Sequence, residues 1–97
     1  MILRKFTKRP GDRKRYLLRY GEWLDTGETL VQVTFEVTPA GPGGMVVDAS
    51  QIEAGGKDVV FFTNLGVDEQ DYTVGVRATT SGGQIKNDQL VFSVRGD

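Results

Sequence analysis

The stretch Leu30-Val31-Gln32-Val33-Thr34-Phe35-Glu36-Val37-Thr38 decides the fold class. Val31, Val33, Phe35 and Val37 alternate with Gln32, Thr34 and Glu36, a period of two that puts alternate side chains on opposite faces of a strand. One face suits a core and the other suits water. Pro39-Ala40-Gly41-Pro42-Gly43-Gly44 ends the run, because proline lacks a backbone donor and glycine turns freely.

The same grammar recurs towards the C-terminus. Met45-Val46-Val47 reads as a short strand, Ala54-Gly55-Gly56-Lys57 as a turn, and Asp58 to Thr63 as a strand holding four consecutive apolar residues. Asn64 to Asp71 is an acidic corner. Tyr72, Val74, Val76 and Ala78 then alternate with Thr73, Gly75 and Arg77. Ser81-Gly82-Gly83-Gln84 is a hairpin turn, and Leu90, Phe92 and Val94 close the core. Leu65, the acidic stretch and Tyr72 together match a tyrosine corner, although aromatics also start strands for propensity alone.

The pattern weakens towards the N-terminus. Trp23-Leu24 leads into a turn at Asp25-Thr26-Gly27, and Trp23 is expected in the core. Tyr16 to Tyr20 is too short for periodicity to separate strand from helix. Tyr20, beside Gly21, is expected as an exposed interface anchor. Ile2 to Lys14 shows no period, and Lys8-Arg9-Pro10-Gly11-Asp12 is turn chemistry. The expectation is an extended basic arm over 1–12, unordered before assembly, and a β-sandwich domain over 13–97. About seven short strands with turn signals roughly every ten residues predict an all-β immunoglobulin- or fibronectin-like sandwich.

Charge is sorted along the chain. The first nineteen residues hold eight of the twelve Lys and Arg against one acidic residue, Asp12, a net of +7. The remainder holds four basic and twelve acidic residues, a net of −8. Folding alone gives no reason for this sorting, whereas docking on other copies or on a larger assembly does. Arg4, Lys5, Lys8, Arg9, Arg13, Lys14, Arg15 and Arg19, with Tyr16 and Tyr20, are the candidate partner-binding set. Glu22, Glu28, Asp68, Glu69 and Asp71 are the candidate acidic docking surface. A heterologous contact between the two sets would close into a ring. Basic residues interleaved with tyrosines also suit nucleic acid, through phosphate contact and base stacking. The overall charge of −1 favours a protein partner.

Other chemistry is thinly supplied. The 97 residues contain neither Cys nor His, which removes disulfides, thiolate metal sites, the commonest metal ligand and the commonest general base near neutral pH. No cofactor and no metal is expected. The start is too poor in apolar residues for a signal peptide, no run is long enough to span a membrane, and the expectation is a soluble domain made inside the cell. Asp25-Thr26-Gly27 resembles the catalytic triplet of retroviral-type aspartic proteases, which need two such aspartates sharing a proton. The family's C-terminal helix has no counterpart in Val91 to Asp97, and Asp-x-Gly is ordinary turn chemistry. Asp68, Glu69 and Asp71 lack the glycine and distal glutamate of a calcium loop. Arg95-Gly96-Asp97 spells an integrin-binding tripeptide but reads as a frayed end.

The order of motifs points to a family. A Lys-x-Pro-Gly-Asp opening, then Tyr16, Tyr20, Trp23-Leu24 and Gly27-Glu28-Thr29, resembles small phage fibre–tail adaptor proteins. Tyr72-Thr73-Val74, then Thr79-Thr80-Ser81-Gly82-Gly83 and a last alternating strand, is similar to their closing hairpin. Arg19-Tyr20-Gly21 stands where that family has Asp-Trp-Ser, and the middle, Pro39 to Lys57, has no distinctive match. The resemblance implies a non-enzymatic, Ig-like virion protein of the tail or neck, made in the host cytoplasm. It would be present in several copies and link the portal or tail region to fibres. A stand-alone Ig-like binding module and a nucleic-acid-contacting structural protein are the alternatives, with the protease the remotest.

Overall fold

The alternation of Leu30–Thr38 does become a strand in the computed structural model, which describes residues 2–96. It is β3 in the order β1 (Ile2–Lys8), β2 (Lys14–Arg19), β3 (Leu30–Thr38), β4 (Val46–Ile52), β5 (Asp58–Asn64), β6 (Asp71–Thr80), β7 (Ile85–Val94). Two sheets result, a four-stranded one ordered β1-β7-β6-β3 and a three-stranded one ordered β2-β5-β4. Every neighbouring pair is antiparallel except β1, which runs parallel to β7. The fold is an all-β two-sheet sandwich.

The core lies between the sheets and follows the alternation. Val74, Val76 and Ala78 of β6, Leu90, Phe92 and Val94 of β7, and Val59 and Phe61 of β5 are all buried. Phe35 reaches from β3 to Phe61 in the opposite sheet, with ring centroids 4.9 Å apart. Val31 departs from its expected core place and is 56% exposed. The register of β3 against β6 shifts between Leu30 and Gln32, so Leu30 turns inward and Val31 outward.

The region expected as an arm is part of the sandwich. Residues 2–8 form β1, hydrogen-bonded along β7 from Ile2↔Gln89 to Lys8↔Val94, while Met1 lies outside the described residues. Phe6 stacks on Phe92 at 4.9 Å and meets Tyr16 of β2 at 4.8 Å, closing the core between the two sheets. The strand escaped the sequence reading because charged Arg4 and Lys8 share the inward-facing register with Phe6, which erases the polar–apolar alternation.

β2 is a strand, settling the choice between strand and helix at Tyr16 to Arg19. β4 extends well past Val47, because a register shift between Asp48 and Gln51, with Ala49 at φ 51°, interrupts the alternation without ending the pairing. The tyrosine corner is present: the Tyr72 hydroxyl accepts the Val67 N–H at 3.0 Å. Trp23 is half-buried against the core and meets Tyr20 edge-on at 5.9 Å.

Candidate docking surface

Strands β1 and β2 are each an edge of their sheet and lie on the same side of the sandwich, joined by the Phe6–Tyr16 contact. Between them runs a groove with Phe6, Tyr16, Leu17 and Leu90 in its lining and Arg4 and Arg19 at its margin. Leu17 is 42% exposed. Arg4 lies over the Phe6 ring at 5.5 Å, so the apolar floor and the positive rim are contiguous.

Seven of the expected partner-binding residues are exposed: Arg4, Lys5, Arg9, Arg13, Lys14, Arg15 and Arg19. Arg15 and Arg19 stand on the outer face of the three-stranded sheet, opposite Phe62 and Asp58. Arg13 covers the Phe62 ring at 4.1 Å and pairs with Asp48 at 2.9 Å. That pair is solvent-exposed and contributes little to stability.

Three members of the expected set are placed otherwise. Lys8 is buried, and its ammonium donates to the carbonyls of Arg9 at 2.7 Å and Leu65 at 2.6 Å. Burial pushes its pKa below the ordinary lysine value, against the pull of Asp12. Lys8 is therefore a pin between β1 and the β5–β6 corner rather than a surface contact. Tyr20, expected as an exposed anchor, is buried with 4% exposure, because it begins the turn into Trp23 and Leu24 and packs beneath that turn. Tyr16 is half-buried, stacked on Phe61 at 5.6 Å. With both tyrosines turned inward, β2 offers no stacking platform for bases.

The acidic set divides between the two ends of the molecule. Glu28 is buried, 7% exposed, and leaves the docking surface. Its carboxylate accepts from the Thr80 hydroxyl at 2.6 Å, the Asp25 N–H at 3.1 Å and the Gln84 amide. The Thr80 bond, followed by the Asp25 N–H, holds its pKa below the usual carboxylate range. This network ties the β2–β3 turn to the β6–β7 hairpin. Asp25 sits within that turn, its carboxylate accepting from Gln84 at 3.0 Å and its carbonyl from the Glu28 N–H at 2.9 Å. Glu22, nearby, is exposed.

Asp68, Glu69 and Asp71 lie at the far end of β6, and all three are exposed. Asp68 accepts the Gly96 N–H at 2.6 Å, and Asp71 pairs with Arg95 at 3.0 Å. The Ser93 hydroxyl, then Arg95, lowers the Asp71 pKa. The Arg95-Gly96 end is thus tied to the corner, and Asp97 lies outside the described residues. Among the described residues no three metal-ligating side chains come together.

A residue-by-residue reading could not see two features. The groove needs the pairing of β1 with β7, for which the sequence carries no periodic signal. The Glu28 network needs a threonine and a glutamine more than fifty positions away, joined only by the fold.

These features define a small all-β sandwich that carries exposed charge on its edges and corners. The chain belongs to the family described as "Podophage GP4 fiber-tail adaptor protein gp77", which matches residues 8–93. No curated protein matches it.

Proposed function

We propose that this chain is a non-enzymatic adaptor of the podophage virion that joins the portal or tail region to the tail fibres through multicopy protein contacts. The observation that carries the reading is the family match across residues 8–93. The exposed charge fits it. Arg4, Lys5, Arg9, Arg13, Lys14, Arg15 and Arg19 form a positive side along β1 and β2 that suits acidic protein surfaces. Glu22 at one end, and Asp68, Glu69 and Asp71 at the other, suit basic ones. Copies arranged in a ring around the tail axis would add avidity to contacts that are individually weak. Such a protein is made in the host cytoplasm and works in the tail or neck of the particle.

Charge reversal tests the reading. Arg15→Glu with Arg19→Glu changes only exposed side chains, so the variant should keep the wild-type circular dichroism spectrum. It should be missing from purified particles made by a phage carrying it. Particles that incorporate the variant as fully as wild type would refute the proposed docking side.

A further inference from the structure

Two surface features combine exposed apolar side chains with charge. The first is the β5–β6 corner. Leu65 and Val67 are 46% and 50% exposed. The backbone beneath them is held at four points. The Leu65 carbonyl accepts the Lys8 ammonium, the Leu65 N–H meets the Asn64 side chain, the Gly66 N–H meets the Gly43 carbonyl, and the Val67 N–H meets Tyr72. Leu65 and Glu69 both hold φ 63°, a left-handed conformation that strains a leucine and suits glycine or asparagine. The fold therefore fixes two aliphatic side chains outward, beside Asp68 and Glu69. The second feature is the groove between β1 and β2, apolar at Phe6, Tyr16 and Leu17 and positive at Arg4 and Arg19.

We infer that the β5–β6 corner of one copy docks into the β1–β2 groove of the next, placing Leu65 and Val67 on Phe6, Tyr16 and Leu17 and setting Asp68 and Glu69 against Arg4 and Arg19. This rests on the multicopy reading above and names its contact. A second copy is the occupant because the chain carries both halves, each apolar at the centre and opposite in charge at the rim. The corner caps one end of an elongated molecule, 44 × 23 × 20 Å, while the groove opens on its side. Such a contact is heterologous, leaving one free corner and one free groove at every step, and it propagates round a ring or along a filament. Charge of either sign on the sheet edges would protect them from aggregation. That protection does not require an acidic apolar corner to complement them.

Sedimentation velocity on the full chain tests the contact. Wild type should associate with rising concentration. Asp68→Lys with Glu69→Lys, and separately Arg4→Glu with Arg19→Glu, should each weaken association by about tenfold or more while the circular dichroism spectrum stays native. An equimolar mixture of the two variants should associate again, because each corner then meets a groove of opposite charge. Leu65→Asn relieves the left-handed strain, so it should leave the thermal midpoint equal or higher and still weaken association. A wild type that stays monomeric at every concentration, reversed variants that associate like wild type, or a mixture that stays monomeric would each overturn the contact. Recovery in particles separates the two claims. Wild-type chain found in particles, with association indifferent to these reversals, refutes the corner–groove contact alone. Wild-type chain missing from particles refutes the adaptor reading.

Discussion

The Tyr20 hydroxyl is buried with no hydrogen-bond partner among the described residues, and the Asp88 carboxylate lies nearby. Burial, then Asp88, pushes its pKa up to about 12, whereas an unfolded tyrosine ionises near 10. Between those values the unfolded chain releases a proton that the folded chain keeps. The stability held below pH 10 should therefore fall as pH rises towards 12. Between pH 9 and pH 11 the loss from this group should be about 1 kcal/mol, read from urea midpoints. Burial raises the Tyr16 pKa as well, adding to the loss in the same direction. Tyr20→Phe should flatten the curve, and an equally steep loss in that variant would refute the assignment. At the corner, Tyr72→Phe removes the acceptor of the Val67 N–H and should cost about 1 kcal/mol in urea unfolding. An unchanged midpoint would show that the bond contributes nothing there.

At the level of elements, β1 decides how the N-terminus behaves. Its pairing with β7, the Phe6 stack and the Lys8 pin make it integral to the four-stranded sheet. Deletion of residues 1–8 should lower the thermal midpoint by roughly 10 °C or more, or prevent folding, since it strips an edge strand and uncovers Phe92. Phe6→Ala, a smaller change in a half-buried ring, should cost about 2 kcal/mol. A truncated chain that melts like wild type would restore the picture of a free arm. Four strands were legible in the sequence: β3, β6 and β7 each carry a hydrophobic face that alternates without charge for several residues, and β5 carries the apolar run Val59 to Phe62. β4 was half legible, because Asp48-Ala49-Ser50 breaks the pattern at a bulge that the partner strand tolerates. β1 was illegible as a strand because Arg4 and Lys8 flank Phe6 in its inward register. Glu28 and Lys8 look like surface charges in sequence, and only long-range partners make their burial affordable.

Across the whole molecule, the charge split takes a geometry other than an arm and a body. The positive residues line one side of the sandwich instead of an arm, and the negative ones divide between its ends. The family assignment agrees with the motif order from Lys8 to the closing hairpin, whereas the docking residues rest on surface chemistry. Zero-length carbodiimide cross-linking reads the contact between neighbouring copies itself. It should be applied to particles assembled from a mixture of isotopically light and heavy chains, followed by mass spectrometry of the joined peptides. Mixed light–heavy peptides should join lysines of the positive side, Lys5 or Lys14, to Asp68 or Glu69 of a neighbouring copy. Cross-links confined to single chains, or running from Lys5 and Lys14 to unrelated virion proteins alone, would contradict that contact.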